Sequence, residues 1–134
     1  MLRYMFDTNT CIWAMRAGAA SHLAGRFNRH AEQLCISSIV LAELYHGAEN
    51  SRRVADNLAE IEQFVARLQA VLDFDAAAAA DFGRVRVALR QHPIGPLDTL
   101  IAAHARSRDL VIVTDNVSEF ARVPGLQIEN WKTA

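Results

Sequence analysis

The sequence predicts an α/β fold: a three-layer sandwich with a central parallel sheet of four to five strands and helices on both faces. Three observations carry that expectation. Short apolar runs alternate with longer stretches whose apolar residues recur at helical spacing. Leu110–Thr114, LVIVT, is the uninterrupted branched run that a strand buried on both faces requires. Strands separated by helices pair in parallel, because such a crossover returns the chain to the same end of the sheet.

The elements follow in order. Tyr4–Asp7 reads as a buried strand, and a helix from about Thr10 to Ala17 stops at Gly18. Ser21–Arg29 is a second helix and Leu34–Ser37 a second strand, after which Ser38 can cap a helix running to about Glu49. Between Arg53 and Val71, Leu58, Ile61, Phe64, Val65 and Leu68 recur at helical spacing, and a short strand, Val71–Asp73, follows. Asp75 caps an alanine-rich helix from Ala76 to about Arg90, since alanine loses least in a helix. Pro96 opens a helix reaching about Arg108, at a first-turn position that needs no N–H. A brief helix over Val117–Arg122 and a last strand near Gln127–Glu129 complete the pattern.

Composition narrows the function. The chain has 134 residues, 51% of them apolar, with 14 basic groups against 15 acidic ones. That suits one domain spanning residues 1–134 and is too apolar for disorder. No apolar stretch approaches the ~18 residues of a membrane span, and Arg3 and Asp7 fall where a secretory leader needs an apolar run. A cytoplasmic protein with no membrane partner is expected. Cys11 and Cys35 form no CxxC and no Cys/His cluster, so they read as two buried thiols of a reducing compartment. Every basic group except Lys132 is an arginine. The planar fork of arginine suits phosphate, although surface solubility also explains the bias.

Chemistry enters at the carboxyl ends of the strands, where open parallel sheets bind their ligands. Asp7 ends the first strand within Phe6-Asp7-Thr8-Asn9-Thr10; it can cap the next helix, but Thr8, Asn9 and Thr10 can cap equally well. Thr114-Asp115-Asn116 ends the LVIVT strand and reads either as a turn cluster or as a second acid at that edge. Asp98 is more informative. It lies in the first turn of the helix opened by Gly95-Pro96, where the helix dipole favours a carboxylate. Yet its stripe continues through Ile101, Ala102 and Ala105, and an acid on a covered face needs a partner or a metal. Glu43 is the sole acid of Ser37–Tyr45; Ile39, His46 and Gly47 share its stripe, which leaves a solvated edge open.

Together, Asp7, Glu43, Asp98 and Asp115 fall at one edge of one sheet. Carboxylates gathered there repel and hold protons unless a cation neutralises them. Mg²⁺ takes oxygen ligands and is typically held by one or two carboxylates, waters and substrate phosphate. It polarises a phosphoryl oxygen and acidifies water, which suits phosphodiester hydrolysis. Other acid pockets fit less well. A phospho-receiver site wants a lysine near the end of the last strands, and Lys132 lies beyond them; a haloacid-dehalogenase-type site wants an aspartate where Asn9 stands; no GxxxxGK occurs.

Four segments, Met5–Asn9 (MFDTN), Ile36–Ala48 (ISSIVLAELYHGA), Ile94–Ala105 (IGPLDTLIAAHA) and Val113–Phe120 (VTDNVSEF), occur in an informative order and spacing. They resemble the PIN-domain ribonucleases, specifically the VapC toxins of type II toxin–antitoxin modules, over essentially the whole chain. The resemblance implies a PIN-domain-like sandwich and an endoribonuclease dependent on Mg²⁺ or Mn²⁺. It implies Asp7 and Asp98 as direct metal ligands, with Glu43 acting through water or on a second ion. The family's fourth acid falls at Asn116, one place after Asp115. Either Asp115 turns in as the fourth catalytic acid or Asn116 holds a water; Thr8 and Asn116 are the expected substrate contacts. Implied partners are RNA, often a tRNA cut at a loop, a second copy in a homodimer, and a VapB-like antitoxin over the helices around Glu43 and beyond Arg53. DNA is reached only through the antitoxin. Water as nucleophile leaves a 5′-phosphate and a 3′-hydroxyl. Arg86, Arg90, Arg106 and Arg108 either hold flanking phosphates or form a solvated helix face. Asn116 keeps a second reading open, a PIN-like scaffold that binds RNA or protein without cutting.

Overall fold

Five short strands, β1 (Tyr4–Phe6), β2 (Leu34–Ser37), β3 (Ala70–Leu72), β4 (Val111–Val113) and β5 (Ile128–Glu129), pair in parallel throughout, in the order β3-β2-β1-β4-β5. The computed structural model describes residues 1–18 and 20–133. In the register of the sheet, Met5 stands opposite Cys35 on one side and Ile112 on the other, and Phe6 opposite Val113. Seven helices connect the strands: α1 (Thr8–Arg16), α2 (His22–His30), α3 (Ser38–Glu49), α4 (Val54–Ala66), α5 (Ala76–Ala88), α6 (Pro96–Ser107) and α7 (Val117–Phe120). The chain steps from β1 through β2 to β3, then returns past β1 to β4 and β5. Right-handed crossovers therefore put α1–α4 on one face and α5–α7 on the other. α1 packs on α2, α3 and α4, and α5 on α6.

Central strands are apolar because both their faces are covered. Met5, Phe6, Ile112 and Val113 are wholly buried, and each such side chain contributes about 1.5–3 kcal/mol. Trp131, just past β5, joins them, its ring centroid 4.9 Å from Tyr4 and 5.4 Å from Phe6, edge-on to both. α5 and α6 are tied by charge: Arg106 donates through Nε and Nη2 to the two oxygens of Asp81, each at 2.8 Å. Fully buried His104 of α6 meets Ser37 Oγ at 2.7 Å, which joins α6 to the start of α3. Burial holds this imidazole below its ordinary range, so it stays neutral.

Local chemistry shifts several expected boundaries. α1 begins at Thr8 rather than near Thr10, because Asp7 is its N-cap. α3 is capped by Ser37, whose Oγ accepts from Ile39 N at 3.1 Å, and not by Ser38, whose Oγ instead accepts from Phe74 N at 3.1 Å. α4 ends at Ala66, leaving Leu68 in the turn before β3. A 3-10 turn over Ala31–Gln33, absent from the sequence reading, leads into β2. Cys11 and Cys35 are buried free thiols, and burial pushes Cys35 up to about 12 and Cys11 well above its ordinary value. Among the described residues no helix is long and apolar enough to cross a membrane.

Candidate active site

β1 and β4 are neighbours whose connections leave in opposite directions, and such a switch point opens a crevice at the strand ends. Asp7 stands there, 4% exposed. Its Oδ1 accepts from Thr10 N at 2.9 Å, capping α1, while its Oδ2 accepts from the Thr114 hydroxyl at 2.6 Å, beyond the end of β4. Capping thus engages only one of the two oxygens of Asp7. Burial raises its carboxyl despite these hydrogen bonds, with the charge of Asp115 a smaller contribution in the same direction.

Glu43 lies mid-way along α3, half-buried, and accepts from the Thr8 hydroxyl at 2.6 Å. Thr8, expected as a substrate contact, is therefore engaged by an acid. Asp98, in the first turn of α6, is half-buried above Ile101, Ala102 and Ala105, all wholly buried, as its stripe anticipates. Burial first, then the charges of Asp7, Glu43 and Glu119, push its carboxyl up to about 6. The acids named from sequence at positions 7 and 43 thus lie within electrostatic reach of Asp98, an acidic notch at the carboxyl ends of the strands.

Glu119 is the site residue that sequence reasoning missed. It sits in the single turn of α7 and accepts from Asn116 Nδ2 at 2.6 Å. The available signal was its position, an acid one turn after the residues that end β4. Asn116, expected to hold a water or a substrate, carries this glutamate. Asp115 turns elsewhere: its Oδ2 lies 3.0 Å from Lys132 Nζ, the one cation paired with an acid at this end of the sheet among the described residues. Of the arginines considered, Arg106 is occupied by Asp81 and by the Pro124 carbonyl at 2.9 Å, Arg86 lies over the Phe82 ring, and Arg90 and Arg108 are exposed.

No three His, Cys, Asp or Glu side chains among the described residues are already drawn together as ligands around one point. The donor set nevertheless fits a hard divalent cation. All donors are carboxylate oxygens, no arginine or lysine among the described residues pairs with them, and Mg²⁺ needs only one or two carboxylates directly. The elevated Asp98 carboxyl marks the charge such an ion would neutralise. Beside the notch, α1, α3 and α4 frame a groove of about 210 Å³ whose lining includes Ile12, Met15, Glu43, Leu44, Glu60 and Ile61.

Carboxylates without a basic partner among the described residues, at the switch point of a parallel sheet, define the class: an α/β fold with an acidic crevice whose donors suit a hard cation. Comparison with known proteins narrows it. The PIN domain family matches residues 4–126. The tRNA(fMet)-specific endonuclease VapC of Shigella flexneri is 50% identical over 98% of this chain and 99% of its own. Its namesake in Salmonella typhimurium is 48% identical over the same shares. The crystal structure of DNA bound VapBC from Salmonella typhimurium aligns with a TM-score of 0.92 at 48% identity, covering 98% of this chain and 99% of that one. The chain belongs to the PIN-domain family and, a step narrower, to its VapC group.

Proposed function

We propose that this protein is a Mg²⁺- or Mn²⁺-dependent endoribonuclease toxin that hydrolyses phosphodiester bonds of tRNA and is neutralised by a VapB-like antitoxin. The observation that carries the reading is Asp98, a half-buried carboxylate pushed up to about 6 beside three other acids with no cation of the protein among them. The names of the relatives, tRNA(fMet)-specific endonucleases, support the substrate.

In this reading Asp7 and Asp98 hold the ion directly, while Glu43 and Glu119 act through water. When bound, the ion supplies positive charge to the phosphoryl oxygen and acidifies water. The chain's own residues do the positioning. Thr10 N and the Thr114 hydroxyl fix Asp7, Thr8 fixes Glu43 and Asn116 fixes Glu119, so the carboxylates lose little freedom when substrate arrives. Glu43 and Glu119 orient the attacking water and accept its proton. In-line attack then leaves a 5′-phosphate and a 3′-hydroxyl. The inert-scaffold alternative drew on the missing acid at Asn116; the Glu119 carboxylate that Asn116 holds supports the catalytic reading instead.

The groove between α1, α3 and α4 suits an antitoxin segment that brings apolar side chains and a cation, since Glu43 and Glu60 line it among apolar neighbours. A single domain over residues 1–134, a homodimer, a cytoplasmic setting, and contact with DNA only through the antitoxin complete the proposal. The test is cleavage of a tRNA(fMet) transcript by the purified chain. Cutting with Mg²⁺, none with EDTA, none by Asp98→Asn, and 5′-phosphate ends are expected. EDTA-resistant cutting, or a 2′,3′-cyclic phosphate product, would overturn the metal-dependent mechanism.

A further inference from the structure

We infer that Trp13 and Lys132 form a nucleotide clamp at the rim of the acid notch, the indole stacking on an unpaired base and the ammonium taking that nucleotide's phosphate. The inference rests on the ribonuclease reading above and extends it to how the strand is held.

Helical spacing puts Asn9, Trp13 and Arg16 on one stripe of α1, and all three are exposed. Trp13 keeps 49% of its surface in water, whereas Trp131 keeps 1%. It is not among the residues lining the groove between α1, α3 and α4, which takes Ile12, Met15 and Arg16 from this helix. Lys132 Nζ lies 3.7 Å from the centre of the indole ring, well within cation–π range. The same ammonium is 3.0 Å from Asp115 Oδ2. Asp115 follows Thr114, whose hydroxyl is 2.6 Å from Asp7 Oδ2. An unbroken run of neighbours therefore leads from Asp7, through Thr114, Asp115 and Lys132, to a half-exposed indole with the Lys132 ammonium over one face.

The chemistry of that run matches single-stranded RNA. The notch contains only acids and repels a polyanion, so an incoming backbone needs a cation beside it. Lysine is a compact charge on a flexible stem, and its three donors can take a phosphate beside the Asp115 carboxylate. A base splayed out of a loop stacks on aromatic rings, and removing such a ring weakens binding by roughly 5- to 150-fold. A plain surface staple, pinning residue 132 to α1, would instead show itself in stability.

The experiment uses the full chain and a labelled tRNA(fMet) transcript, with EDTA present for binding and Mg²⁺ for cleavage. Since Trp131 is buried, quenching of tryptophan emission on adding RNA reports Trp13. Expected are quenching in the wild type, its loss in Trp13→Phe, and wild-type affinity within about threefold for that variant, because phenylalanine keeps a stacking face. Trp13→Ala and Trp13→Leu should bind and cut roughly 5- to 150-fold less well with unchanged melting temperature, the leucine keeping an apolar cover on α1. Lys132→Ala should lower the salt dependence by about one phosphate contact. If Trp13→Leu binds and cuts like a wild type that is itself active, the clamp is wrong and the nuclease reading stands. A Trp13→Leu chain that loses only a protein partner also overturns the clamp. A wild type that neither binds nor cuts the transcript overturns the nuclease reading and the clamp with it.

Discussion

Asp81 and Asp98 lie on the packed helices α5 and α6, each withdrawn from solvent, yet their carboxyl groups shift in opposite directions. Asp81 receives two 2.8 Å hydrogen bonds from Arg106 and a third guanidinium contact from Arg84 at 3.4 Å, and these hold it below the ordinary carboxylate range. Asp98 meets burial and three like charges and rises to about 6. The difference teaches how to recognise a working acid: what distinguishes it is the absence of a counter-charge in a protein that provides one elsewhere. Thirteen arginines are available, and none pairs with the notch among the described residues.

The contrast can be broken or sharpened by substitution. The largest effect is expected at Asp98→Asn, which should cut cleavage by about 10²–10³-fold or more while thermal melting stays level or rises, since like-charge repulsion is relieved. A marked fall in melting temperature would place Asp98 with Asp81 as a structural acid. Asp81→Asn should do the reverse, costing about 1.5–3 kcal/mol of stability, or about 5–10 °C, with the cleavage rate of folded protein unchanged. The pH dependence has a definite sign. A carboxyl lowered on folding stabilises above its unfolded value near 3.8, and that contribution disappears as pH falls through the folded value. The melting difference between wild type and Asp81→Asn should therefore be full at neutral pH and shrink below about pH 4.

Smaller effects test the supports of the notch. Thr114→Val removes the hydroxyl that holds Asp7 Oδ2 and should raise the Mg²⁺ concentration for half-maximal cleavage about tenfold. Least affected should be Asp115→Asn, within about threefold of wild type, with Glu119→Gln well below it. The opposite ranking would restore Asp115 as the fourth acid.

Backbone periodicity made most of the sheet legible, because β1, β2 and β4 are buried on both faces and their apolar runs have no other use. Asp98 was legible for a related reason: Ile101, Ala102 and Ala105 declare which face of α6 is covered. Ser38 was misjudged as a cap because short hydroxyl side chains serve several partners, and only tertiary structure selects Phe74 N for it, as it selects Glu43 for Thr8. Glu119 was passed over since a four-residue helix carries no periodicity to orient its side chains. Asp115 attracted attention by position, but the cation that engages it stands just beyond the carboxyl end of β5, a pairing that sequence spacing does not encode.

The central position of β1 and the late arrival of its second neighbour impose an order on synthesis. β1 finds β2 early, yet β4, whose extension carries Thr114 and Glu119, joins only after most of the polypeptide has been made. An incomplete nascent chain therefore has the first aspartate without the wall that closes around it. On the proposed function, the acids at positions 7, 43, 98 and 119 form one centre only in a chain that has reached α7.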